Sequence, residues 1–268
     1  QQEQLSPVDF QSRARTPDEL DIQSPVLPQT PGLGGEWIDA AAPIHAPSFT
    51  EDRDAHTLKA AYYAMIEQID DQVQRIIDAV EDSGQRNQTL IIFMSDHGEA
   101  LGDHGLIQKG CRFYDSAVRV PLILSWPDCF KAGLISPALV ELNDIAPTLL
   151  SSAGIPVPTW MQGRSLFPLL TEAVSADVHR DFVRSEYYGA CDMPDNSHAT
   201  MYRDERYKLV IYHDHDLGEL YDMQTDPDEH DNLWDDPSQQ ELKTELVIRS
   251  FDSTVRNIEH GKPRIGPI

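Results

Sequence analysis

Leu90-Ile91-Ile92-Phe93-Met94 is an apolar run, and Ser95-Asp96-His97-Gly98-Glu99 follows it directly. An apolar run of this length, bounded by turn residues, is typical of a buried strand of a parallel sheet. In open α/β sheets, ligands bind beyond the carboxyl ends of such strands. The pattern therefore predicts that Asp96 and His97 lie where chemistry takes place. A carboxylate and a neutral imidazole are both ligands of divalent metals, so a metal site is one interpretation of this pair.

The residues on either side of this run predict helices and a second strand. Apolar side chains recur at helical spacing over residues 58–80, and Ser83-Gly84 is a stop signal for that helix. A second apolar run at residues 120–125 predicts another strand. A helix is expected over residues 144–153, with Asp144 as its N-terminal cap. The order of these elements predicts an α/β fold class.

The pattern changes after residue 170. Four short runs, at residues 182–188, 199–203, 206–212 and 218–222, are typical of strands, and Asp204-Glu205 lies between two of them at hairpin spacing. Residues 241–259 carry apolar side chains at loose helical spacing. His213-Asp214-His215-Asp216 forms a polar cluster that we expect to be a solvated turn rather than a metal site. This part of the chain therefore predicts a small antiparallel sheet backed by a C-terminal helix.

Composition sets limits on the class of protein. The chain has 268 residues, 40% of them hydrophobic and 25% charged, which is ordinary for a globular protein of one large domain. A formal net charge of −24 argues against nucleic acid as a partner, because a phosphate backbone needs a basic surface. No apolar run approaches the length of a membrane span, so no membrane partner is expected. The three cysteines have no regular spacing and predict neither a disulfide framework nor a zinc site.

The segment from Thr89 to Pro121, TLIIFMSDHGEALGDHGLIQKGCRFYDSAVRVP, resembles the sulfatase branch of the alkaline phosphatase superfamily. Residues 143–155, 163–170, 206–209 and 218–233 resemble further segments of that family, in the same order. The resemblance implies an alkaline-phosphatase-like α/β/α core, present in part, with a small C-terminal antiparallel α+β subdomain. It also implies three regions: an irregular segment at 1–57, the C-terminal part of the catalytic domain at 58–178, and the small subdomain at 179–268.

The resemblance, which includes choline-sulfatase-like and arylsulfatase-like members, assigns roles to several residues. Asp96 and His97 are expected to hold a divalent metal, for which the family implies Ca²⁺, with Mg²⁺ or Mn²⁺ as alternatives. Lys109 stands where sulfatases have a lysine that contacts the sulfate, and an ammonium can neutralise charge on the transferring group. His104 is also a candidate catalytic residue, expected to hold the same loop by hydrogen bonds rather than to contact the substrate. Local pairing of Arg112 with Asp115 is also expected beside this loop.

His45 is a further candidate catalytic residue. Pro43-Ile44-His45-Ala46-Pro47 resembles the family's Pro-His-x-Pro segment, whose histidine binds the sulfate or protonates the leaving group. In choline-sulfatase-like members the equivalent histidine stands much further upstream. In that case His45 is a loop residue.

One feature of the family is missing from these residues. Sulfatases carry a nucleophilic formylglycine, formed from the first residue of a Cys/Ser-x-Pro/Ala-x-Arg motif, and no Cys or Ser of this chain stands in it. The resemblance therefore implies the C-terminal portion of an enzyme, with the nucleophile expected in a missing N-terminal part and no activity expected from this chain alone. The implied function is hydrolysis of a small-molecule or carbohydrate sulfate ester. A phosphonate or phosphate ester hydrolase of the same superfamily, and a noncatalytic remnant that binds a metal or an anion, stay open, as do the compartment and the oligomeric state.

Overall fold

The computed structural model describes residues 55–106, 109, 112–189 and 198–257. Within these ranges, a long helix precedes a two-stranded sheet, and a four-stranded sheet followed by a second long helix lies further along the chain. No helix in the same ranges is both long enough and apolar enough to cross a bilayer.

Helix α1 (Ala55–Asp82) has 28 residues and contains the region for which helical spacing predicts a helix. The helix is terminated by Gly84, two residues beyond its last residue, whose φ of 71° lies in the left-handed region that glycine adopts without a Cβ penalty. The amide of Gly84 donates to the carbonyl of Glu81 at 2.9 Å, which satisfies one of the last helical carbonyls. A 3₁₀ turn, Arg86–Gln88, then leads into the first strand. The predicted helix and its stop signal are confirmed.

Strands β1 (Ile91–Met94) and β2 (Leu122–Ser125) form the two-stranded sheet. The predicted strands are confirmed, but the predicted parallel pairing is wrong for the described residues, because β1 pairs with β2 in antiparallel register, from Ile91 opposite Ser125 to Met94 opposite Leu122. The predicted full burial is wrong as well, since Met94 is 46% exposed. An apolar run indicates a strand, but strand direction is set by the partner, which lies about thirty residues further along the chain.

A short helix, α2 (Asp115–Val118), lies between the two strands in sequence, and helices α3 (Ile145–Ser152) and α4 (Phe167–Leu170) follow them. Asp144 stands at the N-terminal end of α3 as predicted, but its side chain does not cap that helix. The carboxylate is fully buried and accepts from the amides of Glu141, at 2.9 Å, and Arg164, at 2.7 Å. It also pairs with the guanidinium of Arg180. A buried carboxylate needs such partners, and two of the three, Arg164 and Arg180, come from segments 20 and 36 residues further along the chain.

The C-terminal part is an antiparallel meander in the order β3-β4-β5-β6. The predicted sheet is confirmed, with the bounds β3 (Phe182–Tyr188), β4 (His198–Asp204), β5 (Tyr207–Tyr212) and β6 (Leu217–Asp222). A 3₁₀ turn, Pro237–Gln239, precedes helix α5 (Gln240–Asn257). One face of the sheet packs against α5 through a cluster of buried side chains: Tyr202, Leu209, Leu220 and Leu246.

The opposite face of this sheet packs against the segment that follows the Asp96–Lys109 region. Side chains alternate between the two faces of a strand, so the neighbours of Leu209 in β5 point away from α5. Phe113 packs there in a second buried cluster with Ala199, Met201, Val210 and Tyr212. The C-terminal sheet therefore packs against the segment that directly follows the candidate site.

Candidate active site

The turn after β1 exposes a carboxylate and an imidazole next to each other. The backbone amide of His97 donates to Asp96 Oδ1 at 3.0 Å. This hydrogen bond is the main reason that the pKa of Asp96 lies below its usual range, since it favours the charged carboxylate. The Asp96 side chain is 85% exposed and that of His97 43% exposed, so both are accessible to a ligand.

Backbone hydrogen bonding fixes the tautomer of His97. Its Nδ1 lies 2.9 Å from the carbonyl oxygen of Gly98. A carbonyl can only accept, so Nδ1 carries the proton of the neutral ring and Nε2 keeps a free lone pair. Nε2 lies 3.5 Å from Asp96 Oδ2. The two side chains thus present one oxygen donor and one nitrogen donor to the same point, which fits part of the ligand set of a divalent cation.

Lys109 joins this pair. Its ammonium contacts His97 Nε2, the nitrogen that has the free lone pair. The structure therefore brings together three of the predicted site residues, Asp96, His97 and Lys109. Among the described residues, no group of three or more His, Cys, Asp or Glu side chains is arranged to hold a metal. Asp96 and His97 would accordingly be two members of a larger ligand set, and their metal-binding role stays a prediction.

Glu99 belongs to the same region and was not singled out from the sequence. Its Oε1 is buried and has no hydrogen-bond partner among the described residues. Burial raises the pKa of Glu99, and the charges of His97 and Lys109 act in the opposite direction. The only signal in the sequence was its place immediately after the Asp-His-Gly turn.

Gly98 lets the turn approach helix α2. Its amide donates to the carbonyl of Ala117 at 2.8 Å. A Cβ at this position would lie 1.9 Å from the carbonyl oxygen of Ser116, far inside van der Waals contact. Only glycine allows this approach, which means that the position of His97 depends on the position of α2.

The structure places His104 against the C-terminal part of the chain. Its ring stacks on Tyr114 at a centroid distance of 3.7 Å and lies 5.3 Å from the ring of His230. Burial, helped by the neighbouring His230, lowers the pKa of His104 to about 4. Neither ring contact involves Asp96, His97 or Lys109, and a catalytic role for His104 stays a prediction. His45 lies outside the described residues, so its role stays a prediction as well.

The expected ion pair between Arg112 and Asp115 is wrong. Arg112 Nη1 donates to the hydroxyl of Tyr212 at 2.9 Å and lies 3.5 Å from Glu219 Oε1. The carboxylate of Asp115 instead accepts from Lys208 at 2.6 Å and from Arg203 at 2.9 Å. Both side chains face the C-terminal sheet, and each contacts polar or charged groups of that sheet instead of the other side chain. The expected turn at residues 213–216 is confirmed, because these residues connect β5 to β6.

Two family profiles match the chain. A profile described as sulfatase matches residues 12–155, and one described as N-sulphoglucosamine sulphohydrolase, C-terminal, matches residues 102–254. The chain belongs to the sulfatase family. The second profile spans Lys109, Phe113 and the four-stranded sheet, and the structure packs Phe113 against that sheet.

Individual relatives agree with this assignment. An N-acetylglucosamine-6-O-sulfatase of Bacteroides thetaiotaomicron is 35% identical over 191 residues, covering 69% of this chain and 34% of the relative. A structure described as a complex with its substrate D-glucosamine-2-N,6-O-disulfate superposes with a TM-score of 0.67 at 29% identity, covering 76% of this chain and 42% of that one. A phosphonate monoester hydrolase from Silicibacter pomeroyi superposes with a TM-score of 0.71 at 29% identity, covering 78% and 44%.

These matches establish the fold and also show what share of it this chain contains. The alkaline-phosphatase-like fold that the sequence predicted is confirmed, with mixed α/β structure and antiparallel sheets in the described residues. The chain spans about a third of the length of the curated sulfatase it matches, 34%.

Proposed function

We propose that this chain supplies part of the active site of a metal-dependent hydrolase of sulfate esters. The observation that carries the proposal is the meeting of Asp96, His97 and Lys109 directly after β1, in a member of the sulfatase family. Two of these side chains are donors for a hard cation, and the third is a cation suited to an anionic oxygen.

Two of the three side chains would bind the metal, and the third would bind the substrate. Asp96 would offer its exposed carboxylate, and His97 the Nε2 lone pair that its bond to Gly98 leaves free. Sulfatases generally use a divalent metal, and we propose Ca²⁺, with Mg²⁺ or Mn²⁺ as alternatives. When bound, such a metal withdraws charge from the oxygens of the ester. Lys109 would then turn from His97 to the sulfate and neutralise the charge that develops there.

These residues bind and stabilise, and the nucleophile comes from elsewhere. Sulfatases generally attack with a formylglycine, and no Cys or Ser in the 268 residues stands in the motif from which it forms. Binding groups alone stabilise charge but do not replace a nucleophile. We therefore expect the 268-residue chain to show no turnover by itself.

For the substrate we propose a sulfated carbohydrate. Support comes from the similarity to an N-acetylglucosamine-6-O-sulfatase and to the protein solved with D-glucosamine-2-N,6-O-disulfate. A phosphonate monoester is the second candidate, since a phosphonate monoester hydrolase is similar in structure at the same sequence identity, 29%. Sulfate and phosphonate esters share a tetrahedral anionic centre, which the same ammonium and metal can bind.

The test is a hydrolysis assay of the full reading-frame product that contains this chain. Glucosamine 6-sulfate, an aryl sulfate and an aryl phosphonate monoester are compared at equal concentration, with and without Ca²⁺. We expect the sulfate esters to be hydrolysed faster, and Asp96→Ala to lose at least about a hundredfold in rate, because it removes a metal ligand. Asp128→Ala is the matched control, since it removes an exposed carboxylate from a surface turn.

Three results would contradict the proposal. Faster hydrolysis of the phosphonate would favour the second candidate. No hydrolysis of any ester, with intact Ca²⁺ binding, would favour a noncatalytic metal-binding protein. Equal activity of Asp96→Ala and Asp128→Ala would remove Asp96 from the metal site.

A further inference from the structure

A fully buried lysine lies behind the candidate site. Lys208 stands in β5 and is 0% exposed. Lysine is almost never fully buried unless its charge is paired, because desolvating an ammonium is costly. Lys208 Nζ donates to three acceptors: the carbonyl of Phe113 at 2.9 Å, Asp115 Oδ1 at 2.6 Å and Glu229 Oε1 at 2.5 Å. All three donor positions of the ammonium are thus satisfied.

Two of these acceptors belong to the segment that leads from Lys109 into α2. Phe113 and Asp115 lie on either side of Tyr114, so one ammonium fixes both the backbone and a side chain there. Glu229 strengthens the same arrangement, because its second oxygen accepts from the backbone amide of Asp115 at 2.6 Å. Burial alone would raise the pKa of Asp115, but Lys208 and Arg203 together hold it below its usual range. The carboxylate therefore stays charged and keeps these bonds near neutral pH.

The fixed segment in turn holds the turn that carries Asp96 and His97. Helix α2 follows directly, and the carbonyl of Ala117 accepts from the amide of Gly98. The contact between Gly98 and α2 is so close that it has no room for a Cβ, as described above. A chain of direct contacts thus runs from Lys208, through Asp115 and α2, to the residue after His97.

From this chain of contacts we propose that Lys208, paired with Glu229, is a positioning residue of the active site. It does not touch the candidate metal ligands, but it sets the distance between α2 and the turn that bears them. That the positioned turn belongs to an active site rests on the proposed function, whereas the positioning of this turn by Lys208 can be measured without substrate, metal or turnover. A failure of one is therefore distinguishable from a failure of the other.

The experiment compares hydrogen exchange of single amides in the 268-residue chain by NMR. The test variant is Lys208→Met, which keeps the unbranched side chain up to the Cε position and removes the ammonium group with its charge. The control is Leu220→Ala, a core change on the opposite face of the same sheet, where it packs towards α5. Urea unfolding of each variant gives the loss of global stability. A long-range ¹H–¹⁵N spectrum reports the ring of His97.

In Lys208→Met, we expect the Gly98 amide to exchange about tenfold to a hundredfold faster than the loss of global stability explains. The expected factor corresponds to the loss of one hydrogen bond to a charged group. The His97 ring resonances should shift in the same variant. In Leu220→Ala, the Gly98 amide and the amides of β5 and β6 should change by the same factor, and the His97 ring should not shift. Parallel changes of all amides in Lys208→Met would overturn the proposal.

A second variant guards against simple failure to fold. Lys208→Met leaves Glu229 buried without its cation, and burial already raises the pKa of that carboxyl. Lys208→Met/Glu229→Gln replaces the pair by neutral groups of similar size, and the same selective loss at Gly98 is expected. If neither variant folds, Lys208 is required for the fold itself, and the positioning role is refuted.

Discussion

Gly98→Ala tests the closest packing at the candidate site. The φ of Gly98 is not positive, so the free-energy cost of a side chain there comes from steric contact rather than from backbone strain. The added Cβ would lie 1.9 Å from Ser116 O and 2.9 Å from Ser116 C, and both atoms belong to the backbone of α2. To reach ordinary contact the two segments must separate by roughly 1.5 Å, given that carbon contacts lie near 3.5 Å. The 2.8 Å bond from the Gly98 amide to Ala117 then breaks.

The free energy of unfolding should fall by about 2–5 kcal/mol, from overpacking and from the two polar groups left without partners. Urea unfolding measures the loss, and the His97 ring resonances should shift as the turn moves. Gly154→Ala is the matched control, because Gly154 has a φ of +68° and an added Cβ there would meet nothing within 4 Å. Only backbone strain of about 1–2 kcal/mol is expected there. If Gly98→Ala costs no more than Gly154→Ala, the close approach of the turn to α2 is refuted.

Three further predictions concern pH, metal binding and packing. Because burial lowers the pKa of His104 from 6.5 to about 4, the unfolded chain takes up this proton at higher pH than the folded one. Urea unfolding should therefore show a free energy of unfolding that falls by about 1–2 kcal/mol, after solvent screening, as pH falls from about 6.5 to 4. The loss should be smaller in His104→Asn, and an equal loss in both proteins would contradict the lowered pKa of His104. Lys109→Met should strengthen Mn²⁺ binding about fivefold, because it removes an ammonium that occupies the lone pair of His97 and repels the cation by about 1 kcal/mol. Broadening of the His97 ring signals by Mn²⁺ measures the affinity, and weaker binding would argue against competition between Lys109 and the metal for His97. Gly218→Ala should cost about 1–3 kcal/mol and shift the indole NMR signal of Trp234, whose ring lies 2.3 Å from the added Cβ; an unchanged signal would contradict the packing.

The C-terminal sheet could be predicted from the sequence almost to the residue. Its strands are short and follow one another along the chain, and Asp204-Glu205 separates β4 from β5 at hairpin spacing, so each strand pairs with its neighbour in the chain. The information needed for such pairing is local. The same is true of α1, where helical spacing and a glycine stop agree.

The contacts around Asp115 could not be predicted in this way. Its partner Lys208 lies 93 residues further along the chain, whereas Arg112, the partner that sequence proximity predicts, is three residues away but faces Tyr212. A lysine in a strand is usually exposed, so nothing local marks Lys208 as buried. The antiparallel pairing of β1 was missed for the same reason, since a strand's own sequence does not identify its partner.

The candidate site therefore combines two kinds of information. The chemical groups, Asp96, His97 and Lys109, follow one another in a short motif and could be recognised there. Their arrangement depends on two charged residues of the C-terminal part, Lys208 in β5 and Glu229 after β6, which both bond to Asp115 at the start of α2. The predicted division into regions 1–57, 58–178 and 179–268 stays a prediction, but buried ion pairs join the second region to the third. Because a buried charge that loses its partner is costly, the two regions stabilise each other, and the geometry of the site belongs to both.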